Sequence, residues 1–379
     1  TAKPFTFKNG YDQILPYAEC ENLGLYVHIP FCKSICNFCP YCKVRYSAEL
    51  CDRYIDSLIQ EIHIVGSQHA EHRKATSLYF GGGTPALAAN RIKEIVNALS
   101  EHFIITEGIG LELHPDNVNV ETLQMLKDAG VTKISIGIQS FCDKYQKILG
   151  RKKIDTAEMM SALSAVSFET VSMDFIFALP GQTYDDLKSD IDTAFLLGAN
   201  HVAIYPFIDF TFTESPVTAM PKKDKRELLD AITQYCLGKG YSRNSIWTFS
   251  SGTDANYSSM TRDNFLGFGC SATSLFKEQF KINTFDVDSY CERIRSGNLA
   301  TSLTIRFTKR QRMVYWLFWT AYSTRVTAED FEKFFGVSLK KMYGFELWVA
   351  KQLGLVKEHN GTYEMTLKGA FYYHYYENF

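Results

Sequence analysis

No apolar run in this chain reaches the ~18 residues that a bilayer-spanning helix needs, which excludes a membrane span from the reading. Charge of one sign is also missing. The 40 Lys and Arg residues stand against 42 Asp and Glu, leaving a formal net charge of −2 and a pI near 6.5. Such a balance offers neither the basic field of a nucleic-acid-binding face nor an acidic tail. Residues 1–11 lack the apolar core of a secretion signal. There is no low-complexity tract, and no internal repeat beyond a strand–helix unit. No C-x2-C knuckle occurs beyond Cys42, which argues against a zinc ribbon built from two distant knuckles.

What is present is a large apolar fraction: 379 residues at 46% hydrophobic content. That suffices for one large domain plus one or two smaller ones, and disorder is excluded. Of ten cysteines, four fall between positions 32 and 42, while Cys20, Cys51, Cys142, Cys236, Cys270 and Cys291 are scattered. The pattern fits a reducing, cytoplasmic setting with one metal site. The scattered six read as small hydrophobes.

The chain is organised around Tyr26-Val27-His28-Ile29-Pro30-Phe31-Cys32, continuing through Cys36, Cys39 and Cys42. An apolar strand, Leu23 to Pro30, delivers a loop with thiolates spaced x3 and x2. Soft sulfur ligands at this density suit zinc or an iron–sulfur cluster. Three protein ligands leave one iron of a four-iron cluster open to a small molecule. Cys42 as a fourth ligand would close that position, so Cys32, Cys36 and Cys39 are the expected metal ligands and Cys42 a packing neighbour.

Downstream, strands and helices alternate. Ala48–Val65 has helical spacing. Strands are expected at 77–80, 109–114, 133–139, 172–179 and 201–207, with helices at 88–102, 120–129, 156–166 and 184–197. Six strand–helix units imply a parallel sheet with right-handed crossovers, short of a closed eight-unit barrel. Ligand groups belong at the carboxyl ends of such strands. Thr211–Pro221 reads as a crossing segment, Lys222–Gly238 as a helix, and Tyr241–Leu266 has no clear period. Beyond about Leu303, helical patterns at 309–322, 328–335 and 339–353 precede a hairpin around Asn360-Gly361.

The C-x3-C-x2-C loop entered through Tyr-x-His-Ile-Pro-Phe-Cys resembles the radical S-adenosylmethionine enzymes. More narrowly it resembles the oxygen-independent coproporphyrinogen III oxidase family, with its haem-chaperone and methyltransferase branches. The resemblance runs from about Gly24 to Leu367 and implies an α/β fold: an open six-stranded partial (β/α) barrel with a C-terminal winged-helix-like domain. The expected division is an arm at 1–22, the barrel at 23–210, a capping and substrate segment at 211–302, and the winged module at 303–379. It further implies a [4Fe-4S] cluster whose open iron chelates S-adenosylmethionine, with one or two molecules of the latter bound. An external one-electron donor such as a flavodoxin or ferredoxin is expected, with no nucleic acid among the partners.

Carried over residue by residue, the resemblance implies that Tyr26, Phe38, Gly82 and Glu112 meet the first S-adenosylmethionine. Gly83, Thr84, Gln139, Arg151 and Asp174 match contacts to a second molecule, and Ile208 and Thr273 match family contacts only by counting from flanking motifs. Glu112 is distinctive on physical grounds alone. A carboxylate within Leu111-Glu112-Leu113 needs a cation, and a methionine ammonium or a structural salt bridge would each serve. Where the haem-chaperone branch carries a His-Asn…Tyr-Trp element, this chain reads Asp254-Ala255-Asn256-Tyr257-Ser258-Ser259-Met260 and lacks both the histidine and the tryptophan. It also lacks the longer N-terminal arm of the decarboxylating oxidase. The leading expectation is therefore radical modification (methylation, cyclopropanation or oxidation) of a flat unsaturated small molecule, a heteroaromatic or a tetrapyrrole. The alternatives are a non-catalytic haem-transfer protein, the decarboxylating oxidase itself, and a zinc-stabilised regulator.

Overall fold

A computed structural model describes residues 6–9, 13–36, 38–208, 220–252 and 263–377, with side chains to residue 373. The strands of its parallel core are β1 (Leu23–Ile29), β2 (Leu78–Gly82), β3 (Ile109–Leu113), β4 (Lys133–Gln139), β5 (Thr170–Phe177) and β6 (His201–Pro206). Each is nearly continuously apolar and buried, as strands covered on both faces must be. Helices return the chain between them: α1 (Ala48–Gly66), α2 (Ala89–Ser100), α3 (Val120–Asp128), the short α4 (Asp143–Ile148), α5 (Thr156–Ala165) and α6 (Tyr184–Leu196). Local chemistry starts them. Ser47, Asn119 and Asp155 cap the first turns of α1, α3 and α5, and Thr183 with Asp186 forms a capping box on α6.

The sheet is wider than the six strands expected. A seventh strand, β7 (Asn264–Phe268), lies parallel to β1 on its outer side. Beyond it run β8 (Thr273–Phe276), β9 (Gln279–Asn283) and β10 (Thr301–Arg306), each antiparallel to its neighbour. Past β6 come the antiparallel strands Thr248–Ser250 and Ser242–Arg243. The resulting 13-stranded sheet has two unpaired ends among the described residues, so it is open. Segment 211–302 thus contributes sheet as well as cover, and the expected boundary at 302/303 falls inside β10. The expected crossing segment, 211–221, lies outside the described residues apart from its last two.

One core cluster runs from Leu15 to Ala370. A second, smaller one gathers Met313, Trp316, Phe331, Phe335, Leu339 and Tyr343. After α7 (Lys222–Gly238) and α8 (Val287–Arg295), those residues lie on α9 (Lys309–Ala321), α10 (Ala328–Phe335) and α11 (Leu339–Gln352), which accompany a three-stranded antiparallel sheet of 325–327, 356–359 and 362–365. The hairpin at Asn360-Gly361 is where the sequence puts it. The helix after it, Leu367–Glu377, is not anticipated. Asp263 ties the two clusters: its carbonyl accepts from Arg312 and its carboxylate from Trp316 Nε1 at 2.8 Å.

Candidate functional site

Strand register assembles a polar row across the apolar sheet. His28 pairs with Gly81, Glu112 with Ser135, Ser135 with Ser172, and Ser172 with His201. Gly81 stands one step beyond the Phe80–Leu111 pair, which puts it beside Glu112. The row crosses six adjacent strands, starting near the carboxyl ends of β1, β2 and β3 and passing through the amino-terminal halves of β4 and β5 to the first residue of β6.

Its hydrogen bonds fall into three groups, around His28, around Glu112 and around Asp174. The Tyr26 hydroxyl is 3.0 Å from His28 Nδ1, and His28 Nε2 is 3.2 Å from the Cys42 carbonyl. Glu112 accepts from the Tyr79 hydroxyl and from the Gly82 amide, both at 3.2 Å. Ser135 donates to Asp174 at 2.9 Å, and Ser172 lies 2.9 Å from His201 Nδ1. Burial pushes the Glu112 carboxyl up to about 7, with the charge of Asp174 adding to it. Burial likewise raises Asp174 to about 6, against the hydrogen bonds from its two serines. His201 is driven down to about 4 by burial alone. Among the described residues no Lys, Arg or His forms an ion pair with Glu112, so a structural salt bridge is not what holds it.

Gly81-Gly82-Gly83-Thr84 packs directly on the entry to the cysteine loop. Gly83 and Thr84 donate backbone hydrogen bonds to the carbonyls of Ile29 and Phe31, at 2.9 and 2.8 Å. Gly82 sits at φ +124°, and a Cβ there would lie 2.8 Å from the Ile29 carbonyl oxygen. A Cβ on Gly83 would meet the Phe31 oxygen at 2.6 Å and Cys32 Sγ at 2.9 Å. The glycines are therefore required by backbone approach, whatever else they contact.

The three thiols of Cys32, Cys36 and Cys39 are free and half-buried. Burial raises Cys32 and Cys39 above the ordinary thiol range, and their negative neighbours raise them further. Two cations offset this. Lys43 Nζ donates to the Cys39 carbonyl at 2.5 Å, and Arg151 Nε lies 3.4 Å from Cys36 Sγ. Arg151 also donates to the Gly137 carbonyl and covers the Phe38 ring, 5.5 Å from its centroid. Gln139, ending β4, holds a left-handed φ of 70°, and Ala178, just past β5, one of 64°. Such strain costs roughly 1–3 kcal/mol per residue and gathers at functional sites.

Cys42 stands apart from the trio. Its sulfur lies 3.3 Å from the Phe285 carbonyl and makes contact with Cys270 and Ser271 in the β7–β8 turn. The hydrogen bond from Cys270 holds Cys42 below the usual thiol range and pushes Cys270 up. Ile208 follows β6 and Thr273 opens β8, at the same end of the sheet but at the edges of the network. Sequence reasoning missed Tyr79, Ser135, Ser172, His201 and Cys270. A usable signal existed: isolated polar residues inside otherwise apolar buried strands at matching depth.

Comparison with known proteins supplies the class first. Residues 26–194 match the Radical SAM superfamily, so this part of the chain is a radical S-adenosylmethionine domain. The full-length relatives are more particular. The chain is similar to the heme chaperone HemW of Lactococcus lactis, at 28% identity over 91% of this chain and 93% of that one. It is also similar to the oxygen-independent coproporphyrinogen III oxidase of Pseudomonas aeruginosa, at 25% identity over 86% and 77% of the two chains. In fold it matches the coproporphyrinogen III oxidase HemN of Escherichia coli, described as a radical SAM enzyme, with a TM-score of 0.80, 22% identity, and 94% and 88% coverage.

The superfamily uses a [4Fe-4S] cluster and S-adenosylmethionine, and the residues present fit both. Three free thiols on one loop, bordered by a lysine and an arginine, suit a cluster that carries net negative charge. A buried carboxylate lacking a cation of its own suits an ammonium. No helix among the described residues is long and apolar enough to cross a membrane.

Proposed function

We propose that this chain is a radical S-adenosylmethionine enzyme acting on a tetrapyrrole. The observation that carries the reading is Glu112: a buried carboxylate on the polar row, hydrogen-bonded to Tyr79 and Gly82 and waiting for a positive ligand. Cys32, Cys36 and Cys39 would hold the cluster. Bound together, cluster and S-adenosylmethionine supply a 5′-deoxyadenosyl radical after one-electron reduction. Glu112 would take the ammonium of the first molecule and Phe38 would meet its adenine, with Tyr26 and Gly82 completing the wall. Arg151 pairs with a ligand carboxylate, and Asp174, oriented by Ser135 and Ser172, accepts from ribose hydroxyls. Gly83, Thr84, Gln139, Ile208 and Thr273 form the remaining wall, where a second S-adenosylmethionine would sit. The boundaries proposed for the domains are those of the sequence reading, moved so that β10 stays with the barrel sheet. The relatives named above work on porphyrin precursors or haem, which favours a tetrapyrrole and gives no support to the methyl or methylene donation expected from the sequence.

Anaerobic reconstitution of the cluster, followed by S-adenosylmethionine and a reductant, should yield 5′-deoxyadenosine. Absence of that product overturns the enzyme reading. A second reading, haem transfer without turnover, draws on the similarity to the heme chaperone over 93% of its length. Tight haem binding with no 5′-deoxyadenosine formed would establish it. The element by which the sequence argues against haem carriage, 254–260, lies outside the described residues.

A further inference from the structure

Away from the cysteine loop, on the outer face of the barrel, three potential metal ligands converge where α1 ends and α2 turns into the strand Phe103–Ile105. They are His63, Glu101 and His102, and one ligand atom from each lies within 4.8 Å of the others. His63 Nδ1 and His102 Nε2 are 3.1 Å apart, and Glu101 Oε2 is 3.8 Å from His63 Nδ1. With Zn–N bonds of 2.0–2.1 Å, two imidazoles on a tetrahedral zinc hold their nitrogens about 3.3 Å apart. The nitrogens therefore already have nearly the required spacing, and the carboxylate needs only a small rotation.

Two further features point the same way. The His102 ring lies over the backbone of Gly66, where any Cβ would come within 2.2 Å of it, so the imidazole occupies a slot that only glycine leaves open. The slot is closed on the other side by backbone pairing: the Arg73 amide donates to the His102 carbonyl at 3.0 Å, and strand 73–75 runs parallel to 103–105 from that point. The same register sets the backbone of exposed His72 next to that of His102, while the converging ligand atoms are those of His63, Glu101 and His102.

We propose that His63, Glu101 and His102 form a surface site for a divalent transition ion of the zinc class, clamping the end of α1 to the α2 turn. Two imidazoles and a carboxylate are a donor set that zinc accepts, with water completing four-coordination. The competing explanation of the 3.1 Å contact is a simple hydrogen bond between neutral imidazoles, which predicts no ion affinity.

The test is anaerobic calorimetry of Zn²⁺ binding to the cluster-loaded protein, so that the cysteine trio is already occupied. One zinc per chain is expected, with a rise in melting temperature. His63→Gln, at a half-exposed helix position that tolerates glutamine, should weaken binding by about tenfold or more, and Glu101→Gln should weaken it to a lesser degree. Cys42→Ala should leave it unchanged. Failure of zinc to bind the wild type overturns the proposal, as does equal affinity in His63→Gln.

Discussion

At the scale of single residues, Glu112 joins stability to ligand binding. A carboxyl raised from its ordinary 4.5 to about 7 in the folded chain keeps its proton longer when folded than when unfolded. The folded state is therefore penalised as pH rises from about 4.5 to 7, where the unfolded chain ionises freely and the buried group resists. Melting curves should show the ligand-free wild type losing stability across that window. Glu112→Gln should flatten the loss and weaken S-adenosylmethionine binding by about tenfold or more. A variant whose pH profile matched the wild type would show that the carboxyl is solvated. Gly83 gives a sharper steric case. Alanine there would collide with the Phe31 carbonyl and Cys32 Sγ, so Gly83→Ala should lower iron content after reconstitution. Its backbone is ordinary, whereas Gly82→Ala adds a positive-φ penalty of roughly 1 kcal/mol or more to its own clash. Iron analysis alongside denaturation separates the two effects.

At the scale of elements, β7 and its turn depend on a buried acid remote from the ligand wall. Glu61 on α1 accepts from the Gly269 amide and the Tyr290 hydroxyl at 2.7 Å, and from Asn283 at 3.1 Å. Tyr54, two turns earlier on the helix, donates to the His28 carbonyl at 2.6 Å and accepts from the Cys270 amide at 3.0 Å. Helix α1 thus fixes both β1 and the β7–β8 turn that faces Cys42. Glu61→Ala orphans three buried donors, and at about 1–3 kcal/mol each the loss should reach at least about 3 kcal/mol in urea denaturation. These couplings also explain what the sequence could and could not disclose. The repeating strand–helix units were legible, because each carries its own apolar run and cap; β4 and α7 (Lys222–Gly238) run from the residues expected. Strand β7 was not. Asn264-Phe265-Leu266-Gly267-Phe268 is short and glycine-bearing, and it is a strand because β1 and the α1 network hold it there, a long-range cause no local pattern records. The polar row shares that character: a serine in a strand is unremarkable until register sets it beside Glu112.

At the scale of the whole molecule, the cysteine loop lies outside the buried core that covers the sheet. The large core from Leu15 to Ala370 includes none of Cys32, Cys36 or Cys39 among its buried members. The loop is pinned at its ends instead, by the Val44 amide on the Pro30 carbonyl at 2.8 Å and the Tyr46 amide on the Cys32 carbonyl at 2.9 Å. Between those pins, three thiols that repel one another when ionised must be held together by whatever they bind. Stripping the iron with a chelator should therefore leave the far-UV dichroism and the main melting transition nearly unchanged. Limited proteolysis should become faster at Lys33 and Lys43 and slow again after reconstitution. Cys42→Ala, with its sulfur lodged against the β7–β8 turn, should take up as much iron as the wild type and show the same protection. If removing the iron collapsed the dichroism, the cluster would be part of what folds the barrel, and the sheet's own burial would not be enough to hold it.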